Sequence, residues 1–284
     1  MKSLKEKTLT VVLYLSLLLI CTFSTTIAMA EDIPTIVASG SCGTDVNWSL
    51  DNEGTLTISG TGDMKSFDTN AFYPWYSNRS DIKNVVIEDG VVSIGRAAFQ
   101  NFTTITAISL PESIKTIGKD AVKGCSGLIN FTIPDGITYI DSYAFYNCSS
   151  LININIPESV TYIDNYAFSQ CTSLNNVIIP KSVINIEYGA FNHCTNLNNI
   201  TICEGVNVIG AYAFYGCTNL TSIIIPESVT DIGDSAFYDC SSLTSIIIPE
   251  GVTSIGEDAF YGCVKLTAKV YNNSYAHEWC GANS

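Results

Sequence analysis

Apolar positions recur along this chain with a period far longer than one helical turn or one strand alternation. In the pattern Ile-x-x-x-Ala-Phe, the Ile falls at Ile94, Ile117, Ile140, Ile163, Ile186, Ile209, Ile232 and Ile255, every step being 23 residues. Ala follows in phase from Ala98 to Ala259, and Phe follows each Ala except where Val122 replaces it. Pro recurs at Pro111, Pro134, Pro157, Pro180, Pro226 and Pro249, with Cys203 in the gap. Eight units of fixed length without an insertion identify a stacked repeat, with each unit one structural turn.

One unit, Leu220 to Ser242, shows the expected path. Leu220-x-x-Ile223-x-Ile225 ends on a short strand with Ile223 and Ile225 inward and Ser222 and Ile224 outward. Pro226 has no N–H, so regular pairing stops there. Val229 and Ile232 return the chain to the core, and Ser235 to Asp239 is expected to form a helical turn that inserts Phe237. A coil of 23 residues cannot bury its own apolar row, so neighbours must stack and pair their strands into a parallel sheet. Matching residues then lie about 4.8 Å apart, and eight coils give a rod roughly 40 Å long. The predicted buried files are Leu128/Leu151/Leu174/Leu197, Ile154/Val177/Ile200/Ile223, Ile133/Ile156/Ile179/Ile202 and the spine Phe145/Phe168/Phe191/Phe214/Phe237.

The ends need covers, because a terminal coil would expose its apolar row. Residues 40–81 read as an N-terminal β capping module. It holds a hairpin, Val46–Leu50 and Thr55–Ser59, turning at Asn52-Glu53-Gly54, with Trp48, Leu56 and Ile58 on the first coil. Phe72-Tyr73-Pro74-Trp75-Tyr76 is expected to complete it. The repeats occupy 82–265. Residues 266–284 form a C-terminal cap through Leu266, Val270, Tyr271 and Trp279, and residues 31–39 read as a flexible lead.

The unit L-x-x-I-x-I-P-x-x-V-x-x-I-x-x-x-A-F-x-x-C resembles the BspA-type leucine-rich repeat of bacterial and protist surface proteins. The segment CGTDVNWSLDNEGTLTISGTGDM, Tyr73-Pro74-Trp75-Tyr76 and the ending Val270-Tyr271-Asn272-Asn273-Ser274-Tyr275-Ala276 are similar to the modules that flank such repeats. The resemblance implies a right-handed, curved leucine-rich-repeat solenoid with a parallel sheet and short helical turns. It also implies a surface or secreted role in adhesion or host-protein binding. It names no ligand and no binding residue.

Residues 1–30 read as a secretory signal. Lys2, Lys5 and Lys7 form the positive region, Leu9 to Ile20 the apolar one, and Ala28-Met29-Ala30 the cleavage site. Two alternatives, an uncleaved anchor and a lipidated Cys21, are opposed by the shortness of the apolar run and by the bulk of Ile20. No wall-sorting motif or hydrophobic tail follows the last repeat. Apolar residues make up 46% of the chain, enough for a core, while Asp and Glu outnumber Lys and Arg by 27 to 13. Removing Lys2, Lys5, Lys7 and Glu6 leaves 10 basic against 26 acidic residues, a formal charge of −16. Such a surface repels phosphate backbones and anionic lipid, so neither nucleic-acid nor membrane-surface binding is expected, and no later run of about 20 apolar residues exists, so membrane insertion of the mature chain is not expected either.

Seven of the 11 cysteines are in phase: Cys125, Cys148, Cys171, Cys194, Cys217, Cys240 and Cys263. Export favours disulfides, but in-phase side chains point the same way, and disulfide geometry needs facing Cβ atoms. A buried column of thiols is the favoured reading, with disulfides between neighbouring coils the alternative. A line of ligands also suits zinc badly. His193 next to Cys194 suggests a nucleophile pair, yet adjacent side chains diverge and six other coils manage without His. No catalytic residue, cofactor or metal site is assigned. The column Asp89, Glu112, Asp135, Glu158, Glu204, Glu227 and Glu250, broken by Lys181, and the set Asp141, Asp164 and Glu187 read as solvated edges, with weak Ca²⁺ binding the alternative.

Two variable surfaces remain. Outward strand positions carry Asn153, Asn155, Asn175, Asn176, Ile178, Asn198, Asn199 and Thr201, with Ile224 and Ile247 further along. Tyrosines including Tyr139, Tyr143, Tyr162, Tyr166 and Tyr212 collect near the helical turn. Exposed Tyr, Asn and Ile offer contact area with adaptable hydrogen bonding. The functional expectation is a non-catalytic, secreted or cell-surface binding protein whose partners are extracellular proteins or glycoproteins. The alternative is a structural, self-associating surface component.

Overall fold

The computed structural model describes residues 33–67 and 73–282. The segment read as a secretory signal, and Phe72 of the aromatic stretch, lie outside the described residues. The chain divides into two compact units at Thr35. Of the first, only residues 33–35 are described, without regular structure. The second, from Ile36 onward, is a β-solenoid of eight coils between two caps.

Each coil contributes two strands to two separate sheets. The longer strands, such as Asn153–Asn155, Asn176–Ile179 and Asn199–Ile202, alternate exposed and buried residues as a half-buried strand must. They join the caps in a 12-stranded front sheet. Register advances by one unit per coil: Asn130, Asn153, Asn176 and Asn199 pair in succession. The second sheet was not foreseen. Two-residue strands such as Tyr139–Ile140, Tyr162–Ile163 and Asn185–Ile186 build a nine-stranded back sheet, in which Ile140, Ile163 and Ile186 are stacked and buried. Tyr139 and Tyr162 belong to this sheet and not to the turn.

The third side takes the place of the expected helical turn and differs from it in form. In the coil from Tyr143 to Cys148, the N–H groups of Ala144, Tyr146 and Cys148 bond three residues back. Tyr143 (φ 59°) and Asn147 (φ 55°) are left-handed, which stops any helix from continuing. Their N–H groups, with that of Phe145, turn outward along the stack and bond to Asn165, Ser169 and Ala167 of the next coil. The same two phases are left-handed in each of the eight coils, held by residues as different as Tyr, Gln, His, Asp and Gly. The backbone is thus laddered on three sides, which meets the requirement that buried amide groups be paired.

The core is a set of files. All four predicted files are buried, and the five Phe of the spine are fully so. Their rings stack face to face at 5.1 to 5.6 Å and 8 to 13°. Phe131 enters the Ile154 file and meets Phe145 edge-on at 4.8 Å.

Both caps close this spine with tryptophan. The hairpin β2 (Val46–Asp51) and β3 (Thr55–Gly60) forms as expected and joins the first coil through β3. Trp75 lies flat on Phe99 at 5.6 Å and meets Trp48 edge-on at 5.9 Å. At the far end Thr267–Lys269 extends the front sheet, and helix α1 (Tyr275–Ala282) sets Trp279 edge-on against Phe260 at 5.9 Å. Leu266 and Val270 pack on the core as expected, whereas Tyr271 stays exposed. The lead over 31–39 requires a correction. Residues Ile36–Ser41 form a further strand, β1, antiparallel to β2. Its side chains are almost all exposed, so the hydrophobic pattern carried no trace of it. Backbone pairing to the edge of β2 holds it in place.

Candidate interaction surface

The front sheet turns one row of side chains inward and the other to water. Of the predicted surface residues, Asn153, Asn155, Asn176, Ile178, Asn199 and Thr201 all point outward on adjacent strands. Asn175 and Asn198 are exposed just before those strands, linked by an N–H to carbonyl bond of 3.0 Å. The amides couple along the stack. Asn199 Nδ2 donates to Asn176 Oδ1 at 3.1 Å, and Thr221 Oγ1 donates to Asn198 Oδ1 at 3.3 Å. Asn130 belongs to the same row, which a single step of 23 residues back from Asn153 would have found.

The outward positions share a property that residue-by-residue reading missed. On the coils they run Asn84/Val86, Ala107/Ser109, Asn130/Thr132, Asn153/Asn155, Asn176/Ile178, Asn199/Thr201, Ser222/Ile224 and Ser245/Ile247. None is charged, in a chain of formal charge −14. Ile178 and Ile224 are 62% and 69% exposed, unusually bare for isoleucine. Between them runs a groove of about 320 Å³ lined by Asn199–Ile202 and Ser222–Ile224. Its two strands are in register only at Asn199 and Ser222, whereas Asn176–Ile179 and Asn199–Ile202 match at four positions.

Tyr143, Tyr166 and Tyr212 lie on the turn side, apart from the asparagines. They form a column with Tyr188: Tyr143 to Tyr166 at 5.1 Å, Tyr166 to Tyr188 at 5.2 Å and Tyr188 to Tyr212 at 5.1 Å. Tyr215, Tyr238 and Tyr261 continue it. Lys123 Nζ, bonded to Asp120 at 3.1 Å, caps the Tyr143 ring at 4.7 Å. Ring faces in this column are largely occupied by neighbouring rings, leaving edges and hydroxyls for anything outside.

The carboxylates fall into two environments. Asp89, Glu112, Asp135, Glu158, Glu204, Glu227 and Glu250 are all exposed. Glu204 accepts from the N–H groups of Glu227 and Ser228 one coil on. Asp141, Asp164 and Glu187 are half-buried beside the back sheet. Asp164 accepts from Tyr139 Oη and Ser142 Oγ, each at 2.7 Å. Burial alone would raise its carboxyl, but these bonds, the Asn165 N–H and Lys119 hold it below the ordinary range. Asp141 is pushed up by burial and by the charge of Asp164. Among the described residues no group of three His, Cys, Asp or Glu is placed to hold a metal ion, and no helix is long and apolar enough to cross a membrane.

The ten described cysteines are free. Six of the seven ladder thiols are fully buried, Cys263 at the end of the column being 9% exposed. Burial pushes Cys125, Cys171 and Cys217 up to about 12. Cys194 points into the core and donates to Phe168 O at 3.2 Å, while His193 is exposed and meets Tyr215 edge-on. The adjacent pair is thus separated by the backbone and makes no joint site.

The BspA type leucine-rich repeat region matches residues 65–186 and 161–277 in six copies. Among solved structures, the T. pallidum leucine-rich repeat protein is 27% identical, covering 80% of this chain and 91% of its own, with a TM-score of 0.50. A leucine-rich repeat protein from Eubacterium ventriosum is 25% identical over 82% of this chain and 84% of its own, also with a TM-score of 0.50. No curated protein matches the sequence. Repeat phase, stacked coils and family match agree, and the chain belongs to the BspA-type leucine-rich repeat family.

Proposed function

We propose that this chain is a non-catalytic binding protein, working outside the cell or at its surface, that takes its partner on the front sheet. The observation that carries the reading is the absence of charge from the outward strand positions of the eight coils in an otherwise acidic chain. Desolvating a charge on binding is costly unless it is paired, so an amide-and-isoleucine face can be covered at low cost. Central interface patches are poor in charge for the same reason. The amide ladder from Asn130 to Asn199 supplies hydrogen bonds on a rigid lattice, and Ile178 and Ile224 supply apolar anchors beside the groove. The tyrosine column is the weaker candidate because its rings are packed on one another.

The partners we propose are extracellular proteins or glycoproteins, a class supported by the secretory-signal reading of residues 1–30 and by the uncharged amide-and-isoleucine positions. Capture from a mixture of such proteins tests it, with a solenoid of matched composition as control. The double variant Asn176→Lys/Asn199→Lys should lose at least about tenfold in retained partner, as expected when two charges are forced into a covered interface. Equal retention by the variant and the wild type would rule the front face out.

A further inference from the structure

The thiol file ends at Cys263, and its last pair differs from the rest. Six of the seven ladder cysteines are fully buried, whereas Cys263 is 9% exposed. That narrow opening suits an oxidant little larger than water. The Cys240 and Cys263 thiols also hydrogen-bond to each other. Each donates as well to a carbonyl, Cys240 to Phe214 O at 3.2 Å and Cys263 to Phe237 O at 3.1 Å. The backbone around the pair is held unequally. The N–H groups of Ser235, Phe237 and Asp239 bond to Glu257, Ala259 and Tyr261 of the last coil. The matching N–H groups of that last coil, on Asp258, Phe260 and Gly262, find no carbonyl among the described residues. Successive turns lie about 4.8 Å apart, inside the Cα span of a disulfide, and what the file lacks is a closer approach of Cβ atoms. A turn gripped from both sides cannot supply that approach, whereas one gripped from a single side can lean inward.

The geometry points to Cys240 and Cys263 as a site of reversible oxidation, closed to a disulfide by a peroxide. The Cys263 sulfur attacks one peroxide oxygen and breaks the O–O bond, giving a sulfenic acid, and the thiol proton leaves with the other oxygen as water. The Cys240 sulfur then attacks that of Cys263 and displaces hydroxide, which takes the Cys240 proton and leaves as a second water. Two thiols and one hydrogen peroxide thus give one disulfide and two waters, the sulfurs losing the two electrons that the oxygens gain. The thiol–thiol bond favours this order. It holds Cys263 below the ordinary thiol range, and the same bond, together with burial, raises Cys240 well above it. The cross-link ties the last two coils together where the stack is open.

Treating the full chain with dilute hydrogen peroxide, then unfolding, alkylating and mapping its peptides, tests the proposal. Two hydrogens should be lost per chain, with Cys240 and Cys263 joined and unlabelled while the other five ladder thiols still take the label. A thiol reductant should restore both. Cys280→Ser should behave as the wild type, and Cys263→Ser should leave Cys240 open to labelling. A Cys263–Cys280 bond, a bond within another ladder pair, irreversible oxidation of Cys263, or no loss of label at all overturns the idea.

Discussion

The Sγ of Cys171 donates to the carbonyl oxygen of Phe145, 26 residues earlier, at 3.2 Å. That carbonyl already accepts the N–H of Cys148 at 3.2 Å, so the thiol fills its second lone pair. All seven ladder cysteines make this bond, from Cys125 to Phe99 through Cys263 to Phe237. Position and chemistry together explain the residue: a side chain small enough for the file, apolar enough for the core, and still a donor.

Replacing Cys171 by Ala should cost about 1–2 kcal/mol, from the lost bond and lost sulfur packing. Cys171→Leu should cost more, because the file has no room for added methylenes. Urea midpoints at constant slope measure both changes. A Leu variant as stable as the wild type would contradict the tight file.

Stability should fall steeply at alkaline pH. Unfolded thiols ionise from about pH 9, whereas Cys125, Cys171 and Cys217 hold their protons to about 12, and burial raises Cys148 and Cys194 strongly as well. The unfolded state therefore binds fewer protons than the folded state above pH 9. Stabilisation is whole below that pH and is lost on rising from 9 toward 12, by about 1.4 kcal/mol per thiol at pH 10. Removing one thiol, as in Cys171→Ala, should make the pH dependence of the midpoint shallower. An unchanged slope would mean the thiols do not drive it.

Alkylation should sort the cysteines by position. Cys203 and Cys280 are partly exposed, while Cys42 and the ladder are buried. Brief treatment at neutral pH, read by mass spectrometry, should label the first two and reach the others only after unfolding without reductant. Ladder residues that stay unlabelled in denaturant would instead be disulfide-bonded.

Loss of one ring should register over the whole stack. Phe191 sits between Phe168 and Phe214, stacked at 5.2 and 5.6 Å and fully buried. Phe191→Ala should cost about 3–5 kcal/mol. Because each coil contacts only its neighbours, thermal unfolding should also broaden or split at the weakened joint.

The left-handed positions give a test of opposite sign. Gln170 has φ 61° and a partly exposed side chain. Gln170→Gly should raise the unfolding temperature, removing about 1 kcal/mol of strain, while Gln170→Val should lower it. Equal effects from the two would show that backbone strain is not felt there.

The sequence disclosed whatever repeats. The Ile, Leu and Phe files, the outward asparagines and the thiol column were all legible because a 23-residue period converts spacing into alignment. The back sheet escaped because two-residue strands such as Tyr139–Ile140 are too short to show alternation. The turn was read as helix because Ala-Phe spacing suits one, and nothing local in Tyr143 or Gln170 announces a positive φ. Strand β1 lacked any burial signal. The uncharged front face was a property of absences, visible only once the coils fixed which side chains share a plane.

The three-sided ladder has a consequence for lineage. Its bonds reach one coil up and one coil down, so no contact records how many units lie beyond. A gene for such a chain can gain or lose 23 codons in frame and still specify sound joints on both sides of the change. Length, and with it the reach of the molecule, is thus free to drift between descendants while the local chemistry stays constant.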